Sequence, residues 1–189
     1  MDRYHVALFL HLLALIVATF VTAVTKMAVG RRARARTVGE ALDWHKVLDS
    51  SSKLFPVCLA VFVLTGFYML GISHVDPFST GFIVAGLFGV VFLLTSGVFL
   101  AVKGKALSAV LEGMAKKGAD LPAPKLVPPA IVAMLPTTNT GVALGVVFDM
   151  VTKPTSIPVA LAVVAIGLVL GALMGVRRPV PVAEEAPAA

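Results

Sequence analysis

Of 189 residues, 58% are apolar and only 14% charged, and the mean hydropathy is +0.96. A soluble domain runs near about half apolar and about a quarter charged, so this composition reads as a polytopic membrane protein. The formal net charge of +6 does not point to nucleic acid: the basic residues sit at the ends of apolar runs, and no basic stripe with interleaved aromatics occurs.

The first apolar run, residues 4–29, is long enough at about 1.5 Å per residue to cross a hydrocarbon layer of about 30 Å. It is too long for a signal-peptide core, and its positive charge follows rather than precedes it, so it reads as an anchor that stays. Gly30 punctuates its end, and Arg31, Arg32, Arg34 and Arg36 behind it mark the cytoplasmic side. A short helix is expected over Val38–Leu48, with Thr37 as N-cap and Glu40 at the third position. Within it Asp43, Trp44 and His45 form a small cluster, with Trp44 read as an interface anchor and His45 as solvated.

The second span covers residues 54–72, with Pro56 tolerated in its first turn. It contains Cys58, the sole cysteine, which excludes an intrachain disulfide and a thiolate metal cluster. A tight connection through His74, Asp76 and Pro77 leads to the third span, residues 78–102. After Lys103 and Lys105 comes an amphipathic piece, Ala106–Lys117, expected to lie along the membrane surface, and then a proline-rich stretch, 118–129, expected to be stiff and extended.

Residues 130–151 are apolar at both ends but interrupted by Pro136 and by the polar run Thr137–Thr140. Four spans and five are both open to hydropathy. Only five return the Arg31–Arg36 segment, the lysines of 103–117 and Arg177–Arg178 to one side, so the positive-inside rule favours five, with this segment free to cross as a broken helix. The last span is 157–176. The expected architecture is thus an all-α transmembrane helix bundle forming one domain over residues 1–176, N-terminus outside, C-terminus cytoplasmic, with 177–189 a disordered tail. A bacterial inner membrane is the expected setting.

Small residues at four-residue spacing mark helix contact faces in lipid. Such faces run through Gly81, Ala85, Gly89, Gly97 and Ala101, through Gly141 and Gly145 to Asp149, and through Gly167, Gly171 and Gly175. Ala7, His11, Ala14, Ala18, Thr22 and Thr25 form a small, polar seam on the first span. These faces either close one bundle or leave a spare glycine face for a homo-oligomer or a larger membrane complex.

Five spans collect a set of side chains toward the outer ends: His11, about 10 Å below the mouth of the first span, then Met69, His74, Asp76, Asp149 and Met150, with His5 at the surface. An intramembrane ionisable group is costly to keep, which makes His11 the leading functional candidate. His11 and His74 are candidate cofactor ligands. His11, His74, Asp149, Met69 and Met150 are candidate metal ligands, since histidine and methionine suit copper or haem iron. A packed histidine bonded to a neighbouring helix is the alternative. Asp149 and Lys153, four apart with the acid first, read most simply as a helical ion pair; the functional alternative is Asp149 facing the bundle with Gly145 and taking part in proton or cation passage. No catalytic triad order, P-loop or dinucleotide fingerprint occurs.

The Leu10-His11-Leu12-Leu13 stretch, the basic loop behind it, Pro56 and Thr65-Gly66 in the second span, and the ending Met150-Val151-Thr152-Lys153-Pro154 resemble a loose group of bacterial membrane proteins. That group includes the CopD copper-resistance proteins, the HemJ-type protoporphyrinogen oxidases and uncharacterised relatives. The resemblance covers roughly the first 75 residues and that ending, on motifs common in membrane helices. It implies copper handling or bound haem b, with the first-span histidine as a ligand. The expected function is therefore haem or metal binding, or ion conduction, near the outer leaflet; the rival is a non-catalytic membrane subunit packing through its glycine faces.

Overall fold

The computed structural model describes residues 2–73, 76, 78–124 and 129–176. Six helices follow one another: α1 (Arg3–Ala33), α2 (Val38–Ser52), α3 (Leu54–Ser73), α4 (Gly81–Ala115), α5 (Ala130–Thr152) and α6 (Ile157–Val176). Five helical stretches are long and apolar enough to cross a membrane, so the 130–151 segment joins the spans. The expected tail, with Arg177 and Arg178, lies outside the described residues.

Helix α5 is unbroken despite Pro136, because its polar residues are satisfied locally. Thr137 and Thr138 both donate to the Met134 carbonyl (2.7 and 3.1 Å), and Thr140 donates to that of Pro136 at 2.9 Å. Asn139 accepts from Ser96 of α4 at 2.9 Å. The polar interruption thus leaves few groups to desolvate, which is the condition for placing it in lipid.

Helix α2 runs four residues past the expected Leu48, to Ser52, and α4 starts at Gly81 rather than 78; two other boundaries differ more. Helix α1 runs through Gly30 to Ala33; nothing lies within 4 Å of a side chain at Gly30, and Arg31 and Arg32 in the last turn favour the carboxyl end of the helix dipole. The third span and the amphipathic piece are one helix, α4, of 35 residues, about 52 Å long. The piece therefore does not lie along the membrane surface. Lys103 and Lys105 mark the end of the apolar layer but not of the helix, and Leu111 further along is fully buried.

Helix α2 begins where the sequence places it. Thr37 Oγ1 accepts from the Glu40 amide at 3.2 Å, and the Glu40 carboxylate accepts from the Arg36 amide at 3.0 Å. The next orphan amides at that terminus are met by the stretch after α4, which docks there instead of running free: Val38 donates to the Leu121 carbonyl and Gly39 to that of Ala119, both at 2.9 Å.

The helices form two units. Helices α5 and α6 make a tight antiparallel hairpin against which α4 packs, while α1 packs on α3 and α2 and has no close backbone approach to α4, α5 or α6. Ala7, Ala14, Val21 and Ala28 are the buried positions of α1, a seven-residue repeat of small or branched side chains that lets α3 approach closely.

The glycine faces are spent mostly inside the chain. A methyl at Gly141 would strike the Gly167 carbonyl, one at Gly171 would strike the Thr137 carbonyl, and one at Gly89 would strike Val146. The face through Gly167 and Gly171 is thus an internal surface, and only Gly97 on the α4 stripe has open space around it.

Candidate functional site

Helix α1 turns His11 toward α3, where its ring meets Phe62 at 3.8 Å between centroids, tilted by 44°. Its Nδ1 lies 2.9 Å from Thr65 Oγ1. Thr65 carries one hydroxyl proton, directed back at the Val61 carbonyl (2.6 Å) with Phe62 second (3.2 Å), the usual habit of threonine inside a helix. The hydroxyl therefore accepts from His11, so the proton of the neutral imidazole sits on Nδ1. With the proton there the lone pair is on Nε2, and the His11–Thr65 pair is the packed histidine bonded to a neighbouring helix that the sequence gives as the alternative to a ligand. Beside this pair, a groove of about 550 Å³ opens between the ends of α1 and α3, lined by Arg3, Leu10, Leu64, Thr65 and Tyr68 among others.

The other expected ligands are not gathered around His11. The antiparallel register set by the His11–Thr65 pair puts Met69 one turn further along α3, opposite Ala7. Met150 packs onto α4, where its Cε would be 2.7 Å from a methyl at Gly86. Asp149 sits on α5, a helix that α1 does not approach. His74 lies outside the described residues. Asp76 is exposed and holds a turn, accepting from the Phe78 amide at 2.9 Å, and His5 is exposed beside Asp2. Among the described residues no group of three or more His, Cys, Asp or Glu side chains comes together.

The expected Asp149–Lys153 ion pair is not formed. Lys153 caps α5 in the left-handed region (φ 50°), its amide donating to the Asp149 carbonyl at 2.7 Å, and its side chain emerges into the open while Asp149 turns inward. The Asp149 carboxylate is 0% exposed, and neither oxygen has a hydrogen-bond partner among the described residues. The spacing Gly141–Gly145–Asp149 signals the inward face; nothing local signals that no donor waits there.

His45, expected to be solvated, is 3% exposed. Its Nδ1 accepts from Arg32 Nη1 of α1 at 2.9 Å, and its Nε2–H donates to the Gly104 carbonyl of α4 at 3.1 Å. One ring thus ties α1, α2 and α4 together at the basic end. Trp44 stays half-buried, with the Arg31 guanidinium 5.8 Å above its ring.

No family model, curated protein or solved structure matches the chain. What the fold defines is a multi-pass membrane protein with an oriented histidine in its first span.

Proposed function

We propose that this multi-pass protein belongs to the plasma (inner) membrane and holds a haem iron or a copper ion near the outer leaflet, with His11 as a ligand. The observation that carries this reading is the Thr65 hydroxyl on His11 Nδ1, which presents Nε2 as a neutral nitrogen donor of the kind both metals accept. The groove at the ends of α1 and α3 reaches Thr65, the residue bonded to the ring, although His11 itself does not line it. His74, in the connection after α3, is the second imidazole the sequence offers. A haem or copper centre supplies one-electron chemistry when bound; the chain's own contribution is to orient the ring and surround it with apolar residues.

The test is an absorption spectrum and elemental analysis of the full chain purified in mild detergent. A Soret band or stoichiometric copper is expected in the native protein and lost in His11→Ala. Thr65→Val, which removes the orienting hydroxyl, should weaken affinity about 10–100-fold, and Thr65→Ser should keep it. A colourless protein that takes up neither added hemin nor copper overturns the proposal.

A further inference from the structure

The second unit holds a different anomaly. Through Gly81–Val102 of α4 and the whole of α5 and α6, Asp149 is the one ionisable side chain. Its surroundings follow from the helix register. On the α5–α6 side, Gly141 lies against Gly167 and Gly145 against Val164, so the next turn sets Asp149 level with Ala160, itself fully buried. On the α4 side, Val146 meets Gly89 and Met150 meets Gly86, which sets Asp149 level with Ala85 and Gly86. These neighbours have neither a charge nor a side-chain donor.

Leaving a carboxylate uncompensated in such a place costs several kcal/mol, and native proteins rarely leave a buried polar side chain without a partner. A structural role would show as a cap or an ion pair. Neither is present: Lys153 is exposed, and the nearest hydroxyl along α5, that of Thr152, already donates to the Phe148 carbonyl at 2.9 Å. A cation must therefore meet the charge. Metal cations such as sodium, magnesium or calcium call for a shell of several oxygen ligands, which this small-residue junction does not supply. A proton needs none.

We propose that Asp149 is a proton-binding site, a carboxyl enclosed between α4 and the α5–α6 hairpin that takes up and releases a proton when α4 parts from the hairpin. The nearest way out is past the connection 153–156. There the start of α4 is tied down by two backbone hydrogen bonds, Gly81 to the Thr155 carbonyl (2.9 Å) and Phe82 to that of Pro154 (3.0 Å). Asp149 lies three residues inside the end of α5, about 5 Å below it, so opening that tie alone brings water to the carboxyl. The site lies in the unit that α1 does not approach, and it stands or falls independently of His11.

Dicyclohexylcarbodiimide, an apolar reagent that reacts with a carboxyl only in its protonated form, tests this on the full chain in detergent, read by mass spectrometry of the digested protein. The Asp149 peptide should gain one reagent molecule, the gain should fall as pH is raised, and sodium or lithium at fixed pH should not change it. The exposed carboxylates of Asp43 and Asp49 should stay unmodified, and Asp149→Asn should remove the labelled peptide. Three outcomes overturn the proposal: labelling of Asp149 only after unfolding in dodecyl sulfate, labelling that does not change with pH, or protection by sodium. The spectrum that tests His11 is blind to all three.

Discussion

An imidazole in an apolar setting is useful through whichever nitrogen its neighbours leave free, and His11 and His45 differ there. His45 has both nitrogens committed, Nδ1 accepting from Arg32 and Nε2 donating to Gly104, so only the neutral ring fits. Helix α2 lies outside the apolar spans, and there burial, then the Arg32 charge, holds the imidazole below its usual range, outweighing the pull of the Gly104 carbonyl, Asp49 and Glu112. A depressed histidine contributes fully above its unfolded value of about 6.5. Below that pH the unfolded chain takes the proton first, so stability falls as pH drops toward the folded value. Thermal unfolding in detergent should therefore show a midpoint that declines below about pH 6.5, and His45→Gln, whose amide can accept from Arg32 and donate toward Gly104, should flatten that decline. Superimposable profiles would show that the ring is not the titrating pin. None of this is legible in the sequence, because Asp43-Trp44-His45 reads as a solvated cluster and the carbonyl that buries His45 lies 59 residues away. His11 was legible, since an ionisable residue on a small-residue seam stands out locally, although its tautomer depends on Thr65 of another helix.

Glycines that look alike in one stripe have different roles once the helices are placed. Gly97 on α4 has open space around it, whereas a methyl at Gly141 on α5 would strike the Gly167 carbonyl, a backbone atom that cannot swing aside. The same glycine-to-alanine change should therefore have opposite signs. Gly141→Ala should destabilise by about 1–3 kcal/mol, the range for overpacking. Gly97→Ala should be neutral or stabilise by up to about 1 kcal/mol, because alanine is the better helix former. Chemical unfolding in mixed micelles reads both, and a loss of equal size at the two positions would contradict this helix register. It also follows that Gly171→Leu would disrupt the α5–α6 hairpin itself, so a loss of association in that variant would not by itself identify an oligomer face. Four-residue spacing revealed that these helices meet closely. It did not distinguish Gly89, seated on Val146, from Gly97, because a four-residue stripe drifts round a helix of about 3.6 residues per turn, and at this level the face of α4 that meets the hairpin passes through Ser96, bonded to Asn139, and not through Gly97. The same limit hid the length of α4: a charged Lys103-Gly104-Lys105 looks like an ending, while the burial that sustains the helix comes from α2.

At the scale of the whole molecule, two units meet chiefly through α2, and their ends differ in character. One end carries Arg31, Arg32, Lys46, Lys53, Lys103 and Lys105 together with α2 and the docked stretch after α4; the other carries the short connections after α3 and α5. Helices α1 and α4, at 31 and 35 residues, outrun a hydrocarbon layer of about 30 Å, and their basic ends are the parts that overshoot. The positive-inside rule predicts that this end lies in the cytoplasm, and the prediction carries a pattern of accessibility. Single cysteines placed at Asp2 and Asp76 should react with a membrane-impermeant maleimide on intact cells, while cysteines at Asp43 and Asp120 should react only after permeabilisation. All four positions are exposed, so a failure to react reports sidedness rather than burial. Cys58 is 7% exposed within α3, which keeps the background low without further substitution. The reversed pattern would invert the orientation and move the His11 site to the cytoplasmic leaflet without altering the fold. Reaction of Asp76 and Asp120 from the same side would be the more serious result, since only α4 separates them, and the five-span bundle requires α4 to cross.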